Sequence, residues 1–188
     1  ASSTAHARLR WARPGRFLTA ADHGLPNAYH LPPATNHRPP TVFMLLAIHS
    51  LLRWIVLITA IVALLRARKG LNGGIDYAAG AKQSLTVFMA AVHLQLVLGL
   101  ILFGTSSLTR GAMKDMGAAM KDPGTRFFIA EHPALMLAAV IAVTLTVVIA
   151  RRGPDSSVRH RRAAIGIALA LGLILAGIPW QRALLPGF

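Results

Sequence analysis

The chain has 188 residues, 54% of them hydrophobic and only 14% charged, with a mean hydropathy of +0.54. Soluble domains carry about 25% charged residues, so the deficit argues against an ordinary soluble enzyme, and disorder is excluded for most of the chain by the same numbers. The absence of cysteine removes disulfides, thiolate zinc sites, iron–sulfur clusters, thioether-attached haem and thiol nucleophiles together. A net charge of +14 has the sign of a nucleic-acid binder. The basic residues, however, gather in an N-terminal tail and at the ends of apolar runs, a distribution that argues for no nucleic-acid partner.

Residues 1–41 form a separate compositional unit. Arg8, Arg10, Arg13, Arg16 and Arg38 stand against one acid, Asp22, and Pro14, Pro26, Pro32, Pro33, Pro39 and Pro40 punctuate the stretch. It lacks the apolar core of a secretory signal and has neither helical nor strand periodicity. An extended or loosely ordered basic tail is expected here, with Met44 a natural start for the first apolar run.

Four apolar segments follow in 42–188, at about 42–65, 83–109, 127–150 and 163–181. A membrane helix needs roughly 20 apolar residues, and only helices or closed barrels satisfy backbone groups in lipid. The expected fold is all-α, an integral-membrane four-helix bundle in contact with the lipid bilayer. The small-xxx-small spacing of Ala168 and Gly172 would allow close helix approach, although plain Ala/Gly abundance would produce it equally well. The short loops set the orientation. Arg66, Arg68, Lys69 and Lys82 follow the first segment, and Arg151, Arg152, Arg159, Arg161 and Arg162 follow the third. The loop after the second offsets Arg110, Lys114, Lys121 and Arg126 with Asp115 and Asp122. The first and third loops are therefore expected in the cytoplasm and both termini outside, with the basic tail arguing weakly the other way. In the middle loop Met113, Met116 and Met120 recur at helical spacing, which predicts a short interfacial amphipathic helix near 112–121. The competing reading of those thioethers is a copper(I) site.

Ionisable groups inside a span default to a functional hypothesis. Here they are His49, Arg53, His93, Glu131 and His132. At about 1.5 Å per residue, His49 lies roughly 12 Å and His132 roughly 9 Å below the same surface, while His93 falls near the midplane. Imidazoles on facing helices at one depth can clamp a haem. His49 and His132 match best, with His93 the alternative partner. Arg53, one turn below His49, would pair with Glu131 or neutralise a haem propionate or quinone oxygen. A purely structural polar network, or a proton, ion or metal path through the same residues, remains open. His160, flanked by arginines, is expected to be solvated or headgroup-binding. His6, His23, His30 and His37 in the tail carry no expected role. Trp54 lies deep for an interfacial tryptophan, and Ile178 to Arg182 reads as an anchoring outer end of the fourth helix.

Four stretches together carry a family resemblance: His49-Ser-Leu-Leu-Arg-Trp54; His93-Leu-Gln-Leu96 leading to Gly99; Arg126-Phe-Phe-Ile-Ala-Glu-His132; and Ile178-Pro-Trp180 with Arg182. Over about residues 44–184 the chain resembles small bacterial four-helix membrane proteins labelled cytochrome b-like. The resemblance implies a multi-pass protein of the bacterial inner membrane near respiratory or photosynthetic electron transfer. It implies His49, His93 and His132 as candidate haem b or metal ligands, a quinol pool as electron partner, and other membrane subunits as neighbours. No second inner histidine pair is present, so at most one haem is expected. The alternatives are a non-catalytic scaffold subunit and a copper or proton-coupled transporter. No Ser/His/Asp arrangement, phosphate loop or HExxH pattern occurs, which argues against hydrolase chemistry.

Overall fold

A computed structural model describes residues 40–72, 76–78 and 80–180. Of the tail expected over 1–41, residues 1–39 lie outside the described residues, as does the anchoring Arg182, and residues 40 and 41 already belong to the first helix rather than to an extended tail. The described residues form an all-α bundle: α1 (Pro40–Leu71), α2 (Ala81–Thr105), α3 (Ser107–Lys114), α4 (Met116–Lys121), α5 (Pro123–Arg126), a π-helical turn (Phe127–Glu131), α6 (His132–Arg151) and α7 (Ser156–Gly177). Four helical stretches are long and apolar enough to cross a membrane: Pro40–Leu71, Ala81–Thr105, Pro123–Arg151 and Ser156–Gly177.

Capping explains where these helices differ from the apolar runs. Pro40 opens α1, where a missing N–H costs nothing. The helix then runs past Leu65 through Arg68 and Lys69, cations that suit a helix C-terminus. Its 32 residues span about 48 Å, well beyond a hydrocarbon core. α2 stops at Thr105 rather than near 109, because the Ser106 hydroxyl accepts from Leu108 N–H and restarts the chain as α3. The expected amphipathic helix near 112–121 is two helices, broken at Asp115, whose carboxylate caps α4 through Ala118 N–H at 2.9 Å. α7 begins at Ser156, seven residues before its apolar run, because Asp155 accepts from Val158 N–H at 2.8 Å.

The four spans pack as a ring. α1 lies against α2 and α7, and α6 lies against the same two helices, so α1 and α6 face one another across the bundle. The packing is inverted relative to a soluble bundle. The interior is rich in small residues, with Ala60, Ala63, Ala67, Ala139, Val143, Ala150, Ala163 and Ala170 buried around the larger Leu85, Phe88 and Ile167, while Ile58, Ile61, Leu65, Leu100, Ile165 and Leu169 point outward. Lipid tails are as apolar as leucine, so burying leucine gains little there. Small side chains instead let the helix backbones meet and gain dispersion contacts. Gly166 shows how close this is: a Cβ there would overlap the Thr146 side chain of α6. The exposed apolar surface is the lipid-contacting surface of a multi-pass membrane protein.

Candidate functional site

The end of the bundle formed by the start of α1, the end of α2, the start of α6 and the end of α7 brings together two of the five sequence-derived candidates. His49 and His132 meet with ring centroids 6.4 Å apart and ring planes at 72°. His49 reaches the interior from α1, and its imidazole lies on the backbone of α2: a Cβ on Gly99 would sit 3.3 Å from His49 Cε1. Gln95, one turn before Gly99, donates from Nε2 to the His49 carbonyl at 2.9 Å. His132 is aimed by the π-helical turn before it, closed by its own N–H donating to the Phe127 carbonyl. Pro133 gives the physical cause. It has no N–H to donate, and its ring would crowd the carbonyl four residues back, so the helix widens locally. Phe127 and Phe128 then flank the His132 ring at 6.0 and 6.4 Å.

His132 is also fixed from its second nitrogen. Nδ1 donates to the Gly177 carbonyl at 2.7 Å, one of the terminal carbonyls of α7 that have no partner within their own helix. A carbonyl only accepts, so the proton is on Nδ1, and Nε2 of neutral His132 keeps its lone pair for a ligand. An imidazole held this way is the usual second-shell arrangement of a metal ligand. Opposite it, His49 Nδ1 and Gln95 Oε1 are buried and make no hydrogen bond among the described residues, so this end of the bundle keeps polar capacity that those residues do not use.

The other three candidates lie elsewhere or differently. Arg53 is half-buried, one turn from His49, with its guanidinium carbon 5.8 Å from the Trp54 ring. Glu131 does not pair with Arg53 as expected. It is exposed and bonds Arg126 Nε at 2.7 Å, because the π-helical turn carries its side chain outward to a cation five residues back. His93 is not brought to the other imidazoles. It is exposed on the outer side of α2, where Nδ1 donates to the Met89 carbonyl at 2.8 Å and Nε2 lies 3.5 Å from Thr144 Oγ1. Helical phase is the reason: Gln95 and Gly99 share the inward face, and His93 stands about 200° round the helix from Gln95. Met113, Met116 and Met120 are exposed and divided between α3 and α4.

His160, expected in solvent or at headgroups, is wholly buried at the opposite, arginine-rich end. Its ring lies on α1 where a Cβ on Gly70 would overlap it, and Tyr77 meets it edge-on at 5.4 Å. The Tyr77 segment is tied down by Ser156, whose hydroxyl accepts from Tyr77 N–H at 3.0 Å and donates to Asp76 Oδ1 at 3.3 Å.

Among the described residues no group of three or more His, Cys, Asp or Glu side chains forms a metal cage. What the His49 end offers is two imidazoles. In type and number this donor set suits a haem, which would ask the protein only for imidazole nitrogens, and His49 and His132 are the residues that would hold it. No protein-family model matches the chain, and no curated protein or solved structure is significantly similar to it.

Proposed function

We propose that this protein is a membrane-embedded, cytochrome b-like electron carrier that holds one haem b between His49 and His132. The observation that carries the proposal is the pairing of these two rings from facing helices, with the second nitrogen of His132 already engaged. Haem iron with two imidazole ligands supplies one-electron exchange. The chain's own residues do the rest. The Gly177 carbonyl fixes the tautomer and direction of His132. Gly99 lets His49 lie against α2. Arg53 brings a cation within one turn of His49, able to meet a propionate or a quinone oxygen. The small apolar interior keeps the surroundings at low dielectric. The natural setting is the bacterial inner membrane, beside a quinol pool and other membrane subunits. The arginine-rich end would face the cytoplasm, because Arg66, Arg68, Lys69, Arg151, Arg152, Arg159, Arg161 and Arg162 cluster there.

The test is a reduced-minus-oxidised visible spectrum of protein purified from cells given ample haem. His49→Ala and His132→Ala abolish the haem bands while the bundle still inserts; His93→Ala retains them. Folded protein that is colourless under these conditions refutes the proposal. The scaffold reading has one observation in its favour: the Gln95–His49 and His132–Gly177 hydrogen bonds both join helices. Under that reading no bands exist, and each substitution only lowers stability, by about 0.6 kcal/mol for a typical interhelical hydrogen bond.

A further inference from the structure

Far from the paired imidazoles, a groove of about 260 Å³ opens on the outer face of the bundle between α1 and α2. Its length follows the helix axes. From Arg66 back to Ile58 is eight residues, about 12 Å. Its apolar sides are Ile58, Val62 and Val87, all exposed outward, and the buried Ser84 lies beneath them. The two hydroxyls in the wall are already spent: Thr59 donates to the carbonyls of Ile55 and Val56, and Ser84 to those of Gly80 and Ala81. Each hydroxyl's hydrogen is committed to its own helix, so the wall presents an apolar surface with no free donor. The mouth is the opposite. Arg66 and Gln83 line it, both exposed, and neither makes a hydrogen bond or ion pair among the described residues. Arg66 stands where the apolar stretch of α1 ends, at the level where hydrocarbon gives way to headgroups.

We propose that this groove is a binding site for one anionic phospholipid. An acyl chain lies along Ile58, Val62 and Val87, and the headgroup phosphate is met by the Arg66 guanidinium and the Gln83 amide. Complementarity at both ends selects this occupant. An apolar trough about 12 Å long, open on its outer side, suits a chain already dissolved in the bilayer. A guanidinium at headgroup level suits a phosphate bidentately. Lys69, three residues after Arg66 on the same side of α1, adds positive charge near the mouth, which favours a net anionic headgroup over a zwitterionic one. The site is independent of the haem proposal, since no residue is shared and the two lie toward opposite ends of the bundle.

The experiment is native mass spectrometry of the full-length protein in detergent, titrated with dioleoyl phosphatidylglycerol. One saturable adduct is expected, with phosphatidylcholine binding several-fold more weakly. Arg66→Gln weakens the adduct about fivefold, the contribution of one surface cation at an anionic membrane. Arg68→Gln removes the same charge from another face of the same helix and has little effect. Val87→Trp fills the trough and weakens binding with Arg66 intact; Val87 is half-exposed to lipid, so the change leaves the fold in place. Equal losses from Arg66→Gln and Arg68→Gln would mean a diffuse basic surface and overturn the proposal. So would unchanged binding in Val87→Trp, equal binding of phosphatidylcholine, or displacement of the lipid by a neutral long-chain quinone at equal concentration.

Discussion

The contact between Gly70 and His160 gives a stringent test of the packing. A methyl group at Gly70 would overlap Cε1, Nε2 and Nδ1 of the His160 imidazole at once. The ring has no easy escape. It is wholly buried, and Tyr77 stands edge-on to it at 5.4 Å. Overpacking of this kind costs about 1–3 kcal/mol, against which Gly→Ala in a helix recovers about 0.5–1 kcal/mol. The expected net loss for Gly70→Ala is therefore up to about 2 kcal/mol, or several degrees in Tm at about 2–4 °C per kcal/mol for a chain of this size. Gly172→Ala is the matched control. Nothing lies within 4 Å of a Cβ there, so only the helix-propensity gain remains and the shift should be upward. Thermal unfolding in detergent, followed by circular dichroism, reads both. The double variant Gly70→Ala, His160→Ala should be more stable than the sum of the single losses, because the new methyl enters the space the ring vacates. If Gly70→Ala is tolerated as well as Gly172→Ala, or if the double variant shows no coupling, His160 does not lie on α1 and this account of the arginine-rich end is wrong.

Two further outcomes follow from the same end of the molecule. Burial holds the Tyr77 phenol above its ordinary value even though Arg151 and Arg159 pull the other way. The folded state thus favours the protonated form, and this contribution to stability is complete below the unfolded value near pH 10 and is lost as pH rises beyond it. In a Tyr29→Phe background, where Tyr77 is the remaining tyrosine, phenolate absorbance should appear only above that ordinary value; a midpoint at or below it contradicts the burial. For orientation, Cys placed at Asn72 or Ser157, both exposed, should resist an impermeant thiol reagent in intact cells and react after permeabilisation. Labelling from outside reverses the topology.

The spans were legible because length and apolarity alone decide them. Their ends were not, because single caps decide those. The start of α7 shows the consequence. Read as an apolar run from 163, the segment leaves His160 in a basic loop. Capped at Asp155, the helix reaches back far enough to put His160 on the inward stripe it shares with Ala163, Ile167, Ala170 and Ile174. The neighbouring arginines leave that stripe, Arg159 to bond the Gly153 carbonyl and Arg161 to the exterior, and in the sequence they conceal a core residue. The His49–His132 pair was legible from depth, since counting residues from one surface needs no tertiary information. Excluding His93 required phase as well as depth, and the signal was present: Gln95 and Gly99, four residues apart, mark the inward face of α2. The exchange of Arg53 for Arg126 as partner of Glu131 had no simple signal. It depends on the π-helical turn, and a sequence hint of that turn lay only in Pro133.

What faces the histidine at each end of the bundle also explains why the proposed chemistry belongs at one end and not the other. Each end seats a histidine directly on a glycine of a neighbouring helix, His49 on Gly99 and His160 on Gly70. At the arginine-rich end the ring facing His160 is the edge of Tyr77 rather than a second imidazole. At the other end the facing group is a second imidazole, and its remaining nitrogen is held by a carbonyl of α7 rather than left to compete for a ligand. Replacing the Gly177 carbonyl is not open to a side-chain substitution, but its effect is open to measurement. Gly177→Ala would drive a methyl into Met136 Cε and approach Leu135 Cβ at 3.3 Å, and the methionine terminus can turn aside more easily than the Leu135 stem. The end of α7 must then shift relative to α6, and with it the acceptor that orients His132, while both proposed axial ligands remain in place.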